Sequence, residues 1–339
     1  MTANNRCDIH LEPGRTIKLA PEPNAELLNE RELADYREHR YQFIQWLLNE
    51  GKTPQKHEGY SEYTCYETGY RTARFDKWVW DREEQYLWPP TPEAATAYVT
   101  GSVSERDIAN ATRGKIEEAL QRYFRFVATT GGGDAWEHDQ IWTSSGDDAP
   151  RDYLSRDERR QVYQTVLSGD DYGWRETSLV ATSLDAALRP VEVKRASTDW
   201  IDLANNALRI PREDSSKNKN NWTAALSTRT VTALRHWTDA RAEKPMYDGT
   251  DAIWLTREAT RYSSRSLARL LRRIFDDAGI PPAGRDVTWY MLRHHVGTYL
   301  TQEMDLAAAA EQLRHTSITT TAKYDQSPIE DRKTAIEDL

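Results

Sequence analysis

Apolar residues return at three- and four-residue steps through most of the chain, the period of an amphipathic helix, so helices are expected to dominate. Leu33, Tyr36, Tyr41, Phe43, Ile44, Leu47 and Leu48 define the first helix, from near Asn29 to a stop at Gly51. A second opens at Ser61, where Ser61 and Thr64 are capping types and Tyr66, Tyr70, Phe75, Trp78 and Val79 make a broad aromatic face. After Pro89, Pro90 and Pro92 a short helix is expected over 94–100. Ser104 then opens another, with Ile116, Leu120, Phe124 and Val127 in one stripe. Residues 1–28 hold Pro13, Pro21 and Pro23 without such a period and read as a flexible lead-in.

The Thr-Thr-Gly-Gly-Gly run at 129–133 and the polar stretch 143–151 form the best linker, which places a boundary near 145–152 and makes 29–150 an all-helical domain with its linker. Beyond it, Ser155 with Asp157 and Glu158 opens a helix carrying Val162, Val166 and Leu167, and 174–188 reads as an apolar helix ending before Pro190. The pattern then changes. Short runs at 199–203, 207–211 and 222–226, with a polar loop at 213–221, predict a small antiparallel sheet. Four helical segments follow, at 227–244, 263–278, 287–302 and 306–314. The expected fold class is mainly α with a small antiparallel β-sheet in the C-terminal domain.

A length of 339 residues favours two domains with separate cores. Two cysteines, Cys7 and Cys65, can build neither a disulfide framework nor a metal cage. Mean hydropathy is −0.82, no window approaches a membrane-spanning run, and the N-terminus pairs no basic stretch with an apolar one. No membrane association is therefore expected, and the cytoplasm is the expected compartment. A formal charge of −9 counts at first against a polyanionic partner. Its distribution reverses that inference. Residues 1–150 hold 17 basic and 26 acidic side chains, whereas 186–275 hold 17 basic and 10 acidic, with Arg261, Arg265, Arg269, Arg272 and Arg273 near one helix. That is a cationic zone suited to phosphate. With 11 Lys against 34 Arg, the Lys-poor, acid-rich composition resembles that of proteins kept hydrated in concentrated salt, as in an extreme halophile.

The C-terminal segment concentrates the candidate chemistry. Arg293, His294 and His295 fall in the first turns of the 287–302 helix, whose apolar side includes Val296 and Leu300, and Tyr324 follows His315 by nine positions across a Ser/Thr-rich turn. In this order the residues resemble the tyrosine recombinases, the phage integrases and their Xer-type relatives, whose pattern runs His-x-Leu-Arg-His, then Leu-Gly-His, then Tyr. Two upstream stretches extend the resemblance. Ala187-Leu-Arg189-Pro-Val-Glu192-Val is similar to the family's Gly-Leu-Arg-x-x-Glu-Leu box, and Ser216 to Leu226 to its lysine-bearing β-hairpin. Taken singly, Arg189 reads as a helix-end charge, His315 as a buried histidine and Tyr324 as a packing aromatic; the shared order and spacing carry the assignment.

The resemblance implies an N-terminal SAM-like helical bundle, the core-binding domain, that clamps the far side of a duplex. It implies a catalytic domain over 151–328 and a tail at 329–339 that either docks onto a neighbouring subunit or folds back in cis. The partner would be double-stranded DNA with a specific recombination site, bound by a homotetramer on paired sites. Attack on a phosphodiester adds charge to its non-bridging oxygens, which the guanidinium forks of Arg189 and Arg293 and a hydrogen bond from His315 would stabilise. Tyr324 would be the nucleophile, forming a 3′-phosphotyrosyl link, and Lys217 the donor of a proton to the leaving 5′ oxygen, with Lys219 as the fallback. Lys219, His294, Arg265, Arg269 and Arg272 would add DNA contacts, His294 chiefly as a buttress.

Two positions depart from the pattern. Tyr290 stands where the family usually places His or Lys, credited with accepting the nucleophile's proton, and a phenol, with an ordinary pKa of about 10, is a poor base. Arg314 replaces the usual Gly before the second histidine and is expected to add charge near the phosphate. His294 and His295 are adjacent on a helix and point in different directions, so neither a metal nor any other cofactor is expected. Two alternatives remain: type IB topoisomerase chemistry without exchange of partners, and a catalytically weakened DNA-binding relative with an architectural or regulatory role, which Tyr290 keeps open.

Overall fold

Helices begin where a side chain satisfies their first free N–H groups. In a computed structural model describing residues 7–11, 15–130, 132–142, 152–215, 220–324 and 329–337, the Asn29 side chain caps Glu30–Asn49 and Glu32 reaches back to the Asn29 N–H. Ser61 likewise caps Glu62–Glu83, Ser155 caps Arg156–Ser168 and Ser263 caps Ser264–Ala278. The chain divides into two compact units, Met1–Asp148 and Ala149–Leu339.

In the first unit the helices Glu30–Asn49, Glu62–Glu83 and Asn110–Thr129 enclose a core that includes Tyr36, Phe43, Ile44, Phe75, Val79, Tyr123 and Phe124. Asp76 is buried within it and accepts hydrogen bonds from the phenols of Tyr36 and Tyr123, each at 2.9 Å. Burial pushes this carboxyl up to about 6, against the pull of Arg40 and the two phenols.

Where it is described, the expected lead-in is paired and packed. Ile9–Leu11 pairs antiparallel with Arg15–Ile17, and Ile17 and Leu19 are fully buried. Leu11 and Ile17 belong to the core of the first unit, with Ile9 packed against it, and burying such apolar surface favours order there; residues 1–6 and 12–14 lie outside the described residues. The helix expected to open at Ser104 starts at Asn110. Ser104 Oγ instead donates back to the carbonyls of Thr100 and Gly101, closing a π-helical turn over Tyr98–Val103. The linker is also shorter than expected. Over 132–142 the chain lies on the first unit, where the buried Glu117 carboxylate accepts from His138 Nε2 at 2.7 Å and from the N–H groups of Ile141 and Trp142. The remainder, 143–151, lies outside the described residues.

The second unit is built on the helix Trp174–Ala186, which packs against Arg156–Ser168, Thr228–Ala242 and Tyr290–Glu303. Its core contains the fully buried Trp200, Trp237, Trp254 and Trp289. A three-stranded antiparallel sheet, Ile201–Asp202, Ala207–Ile210 and Trp222–Ala225, lies in the order of the sequence, and Ile210↔Trp222 is the last pair before its loop. In the tail, Arg156 Nη1 donates to Asp331 of the helix Ile329–Glu337 at 2.7 Å, while Ile336 is exposed. Among the described residues no helix is long and apolar enough to cross a membrane.

Candidate active site

Three short elements and one long helix bring the candidate residues together. Ala187, in the left-handed region at φ 49°, ends Trp174–Ala186, and Pro190 at the first position of Pro190–Arg195 restarts the chain as a helix. Arg189 sits between them at the N-cap, and its backbone N–H donates to Glu192 Oε2 at 2.8 Å. Its Nη1 donates to Glu192 Oε1 at 2.9 Å, and its Nη2 approaches the carbonyls of Leu313 and Arg314.

Arg293 lies in the first turn of Tyr290–Glu303 and is 2% exposed. It donates from Nη1 to the Ala187 carbonyl at 2.7 Å and from Nη2 to the Leu313 carbonyl and to His315 Nε2, the latter at 3.0 Å. With Nε2 accepting, His315 carries its proton on Nδ1, which faces Thr321 Oγ1 at 2.8 Å. His315 itself follows Leu306–Gln312, and its N–H bonds back to the Ala310 carbonyl.

Arg314 sits in the same cluster but is turned inward: it is 4% exposed and donates to the carbonyls of Ala186, Ala187 and Gln312 and to Glu192 Oε2, the last at 2.7 Å. Its backbone has φ 55°, the conformation that glycine adopts most readily, so the buried ion pair and carbonyl bonds hold an arginine where the family's glycine needs no such help. Three guanidiniums thus meet one fully buried carboxylate. Burial alone would raise the Glu192 carboxyl, but Arg314 above all, then Arg189 and Arg293, bring it down to about 2. Arg293 is pushed the other way, down to about 9, by burial and then by Arg189 and Arg314. The cluster carries more positive than negative charge, which is the electrostatic condition for holding an anion.

Tyr324 is placed by the same long helix. Positions 293, 297 and 301 fall on one face at four-residue steps. Gly297 leaves room for the Tyr324 ring, since a Cβ there would stand 2.7 Å from Tyr324 Cδ1, and Thr301 Oγ1 donates to the Tyr324 carbonyl at 3.0 Å. The ring is 4% exposed, lies parallel to His315 with centroids 6.0 Å apart, and presents its hydroxyl to His294 Nδ1 at 3.0 Å. Gly297→Ala is therefore expected to displace the phenol and to slow any reaction at it about 100-fold. Melting of the variant should shift by only a few degrees, because helix propensity gains what the contact loses; rate and melting curve measured side by side check this.

The remaining sites divide. Tyr290 is 42% exposed at the start of its helix, with its ring stacked on His294 at 6.0 Å between centroids. His294 faces the Tyr324 hydroxyl, whereas His295 turns inward, its Nδ1 2.8 Å from the Leu154 carbonyl, and burial brings it down to about 4. Arg265, Arg269 and Arg272 lie on the exposed side of Ser264–Ala278, while Arg261 pairs with Asp251 and Arg273 packs over the Tyr172 ring. Lys217 and Lys219 lie outside the described residues, in the loop closed by Ile210 and Trp222. Glu192, Gly297, Thr301 and Thr321 complete the site and were not among the expected site residues; the Glu192 position within the Arg189 box and the small residue one turn after Arg293 were the available signals.

The phage integrase family domain matches residues 152–330. Among curated proteins, the tyrosine recombinase XerC of Pelobacter propionicus is 24% identical over 218 residues, 64% of this chain and 69% of that protein. A XerC of Pseudomonas aeruginosa is 26% identical over 174 residues, 50% of this chain and 54% of that protein, so the match spans about half of that relative's length. The type 1 fimbriae regulatory protein FimE of Escherichia coli K12 is 29% identical over 179 residues, 52% of this chain and 86% of that protein. Of solved structures, a XerH site-specific recombinase bound to its palindromic difH substrate has a TM-score of 0.63 at 16% identity, with 91% of this chain and 88% of that one covered. The Tn1549 transposon integrase in complex with transposon right end DNA has a TM-score of 0.63 at 14% identity, with 88% and 98% covered; at such identities the likeness is one of fold. With the domain match covering more than half of its length, and the Arg189, Arg293, His315 and Tyr324 positions inside the matched segment, the chain belongs to the phage integrase family.

Proposed function

We propose that the protein is a site-specific DNA recombinase that breaks and rejoins strands through Tyr324. The phenol oxygen attacks a backbone phosphorus, the bond to the 5′ oxygen breaks, and a 3′-phosphotyrosyl link preserves the bond energy for rejoining. Arg189 and Arg293 hold the non-bridging oxygens, His315 positions the Arg293 guanidinium through Nε2, Lys217 gives the leaving oxygen its proton, and Tyr290 orients the phosphate at the rim. Charge stabilisation comes from the guanidiniums, so the reaction requires no metal or other cofactor. The 29–150 bundle supplies further DNA contacts, Arg265, Arg269 and Arg272 steer the backbone, and paired sites are brought together in a tetramer in the cytoplasm.

One observation carries the reading. The hydroxyl of the buried Tyr324, against His294, lies in the same cluster as Arg293, which is bonded to His315, and a carboxylate outnumbered by guanidiniums, from segments more than 100 residues apart in sequence. A packing aromatic would have no reason to end there.

The test is capture of the intermediate. Wild-type protein is incubated with a pool of nicked duplexes whose arms are randomised, so that cleavage releases a short strand and traps the adduct. The expected result is a detergent-resistant protein–DNA band, undiminished by a chelator, with the DNA mapped to Tyr324. No adduct from the pool overturns the reading. Relaxation of supercoiled plasmid without recombinant product assigns the same chemistry to a topoisomerase.

A further inference from the structure

Proton removal from the nucleophile lacks an agent in the residues assigned so far. The rim residue Tyr290 is a phenol, a poor base near neutrality. Both ring nitrogens of His315 are engaged, one by Arg293 and one by Thr321. Arg293 and Arg189 are cations. His294, one turn beyond Tyr290, stands with Nδ1 3.0 Å from the Tyr324 hydroxyl, within the range for direct transfer.

Three features make that contact more than a neighbourly one. The two partners are held by one rigid element, because Gly297 seats the Tyr324 ring and Thr301 fixes its backbone on the helix that also carries His294. The imidazole is half-buried, with its ring 5.6 Å from that of Tyr324 on one side and 6.0 Å from that of Tyr290 on the other. Imidazole also has an ordinary pKa of about 6.5, the best match to a proton acceptor working near neutral pH.

We propose that His294 is a catalytic residue, the general base of strand cleavage, a proposal that rests on Tyr324 being the nucleophile. As Tyr324 Oη forms its bond to phosphorus, its proton passes to His294 Nδ1. The bond between phosphorus and the 5′ oxygen breaks with its electron pair on that oxygen, which takes a proton from Lys217. On rejoining, His294 returns its proton to the departing phenol. Among the described residues, the phenol rings beside His294 are Tyr290 from its own helix and Tyr324 from the C-terminal turn, and the charged groups acting on its chain neighbour Arg293 are Arg189, Arg314 and Glu192.

The test uses the full-length protein and a nicked duplex recovered from the adduct pool, with single-turnover adduct formation followed from about pH 5 to 9. Wild-type rates are expected to rise through an ionisation in the imidazole range. His294→Asn keeps a hydrogen-bond acceptor near the place of Nδ1 but cannot take the proton. It is expected to slow cleavage by about 100-fold or more and to lose that ionisation, with imidazole in the buffer restoring part of the rate. Melting and duplex affinity are measured alongside, and His294→Gln is read in the same way if the first variant melts early. A variant within about threefold of wild type, or one slowed with the wild-type pH profile intact, overturns the proposal. Failure of the wild type to form any adduct overturns instead the assignment of Tyr324 on which it rests.

Discussion

Tyr324→Phe is expected to abolish the covalent adduct completely while leaving the fold and the affinity for DNA in place. The hydroxyl oxygen is the atom that would bond to phosphorus, and no other atom of the ring can replace it. Phenylalanine keeps the ring in its seat on Gly297, and the Thr301 hydrogen bond goes to the backbone carbonyl, which the variant retains. The folded protein loses the contact of the hydroxyl with His294 Nδ1, about 1 kcal/mol. A denaturing gel of the suicide-duplex reaction, run with a melting curve and a gel-shift titration, separates chemistry from folding. An adduct of wild-type yield in the variant would move the nucleophile to another residue.

Glu192→Gln is expected to produce the largest loss of stability. The carboxylate is fully buried and receives Arg189 Nη1 at 2.9 Å, the Arg189 N–H at 2.8 Å and Arg314 Nη2 at 2.7 Å. A neutral amide leaves the guanidiniums of Arg189, Arg293 and Arg314 without a counter-charge in a dry site, a loss of about 3 to 5 kcal/mol. That is a large share of the roughly 5 to 15 kcal/mol that holds a domain folded. The pH dependence follows from the same group. Its carboxyl is held at about 2 in the folded state against an ordinary value of 4.5, so its contribution is complete above about 4.5 and is lost as the pH falls towards about 2. Chemical denaturation of wild type and variant across that range measures both effects: the wild-type curve should fall with acid, and the variant curve should start lower and fall less.

The part of the molecule legible in the sequence is the part governed by local rules. Asn29, Ser61, Ser155 and Ser263 cap helices as their side chains require, and the short runs at Ile201, Ala207 and Trp222 form the antiparallel strands they predict. Ser104 misled because a serine can either open a helix or close the one before it, and the choice depends on which carbonyls lie within reach. The strand pair at Ile9–Leu11 and Arg15–Ile17 was hidden for a related reason: its apolar residues are buried by a bundle that the segment itself does not contain.

For the site the division is sharper. The sequence by itself determined the order and spacing of Arg189, Arg293, His315 and Tyr324, and with them the family, because spacing along the chain is a one-dimensional property. Tertiary structure alone decided what these groups do to one another. It turned Arg314 inward as the partner of Glu192, set the Tyr324 ring against Gly297, and left His294 rather than Tyr290 facing the hydroxyl. Those outcomes depend on burial and on distances between segments remote in sequence, and electrostatic strength in a dry site varies steeply with both.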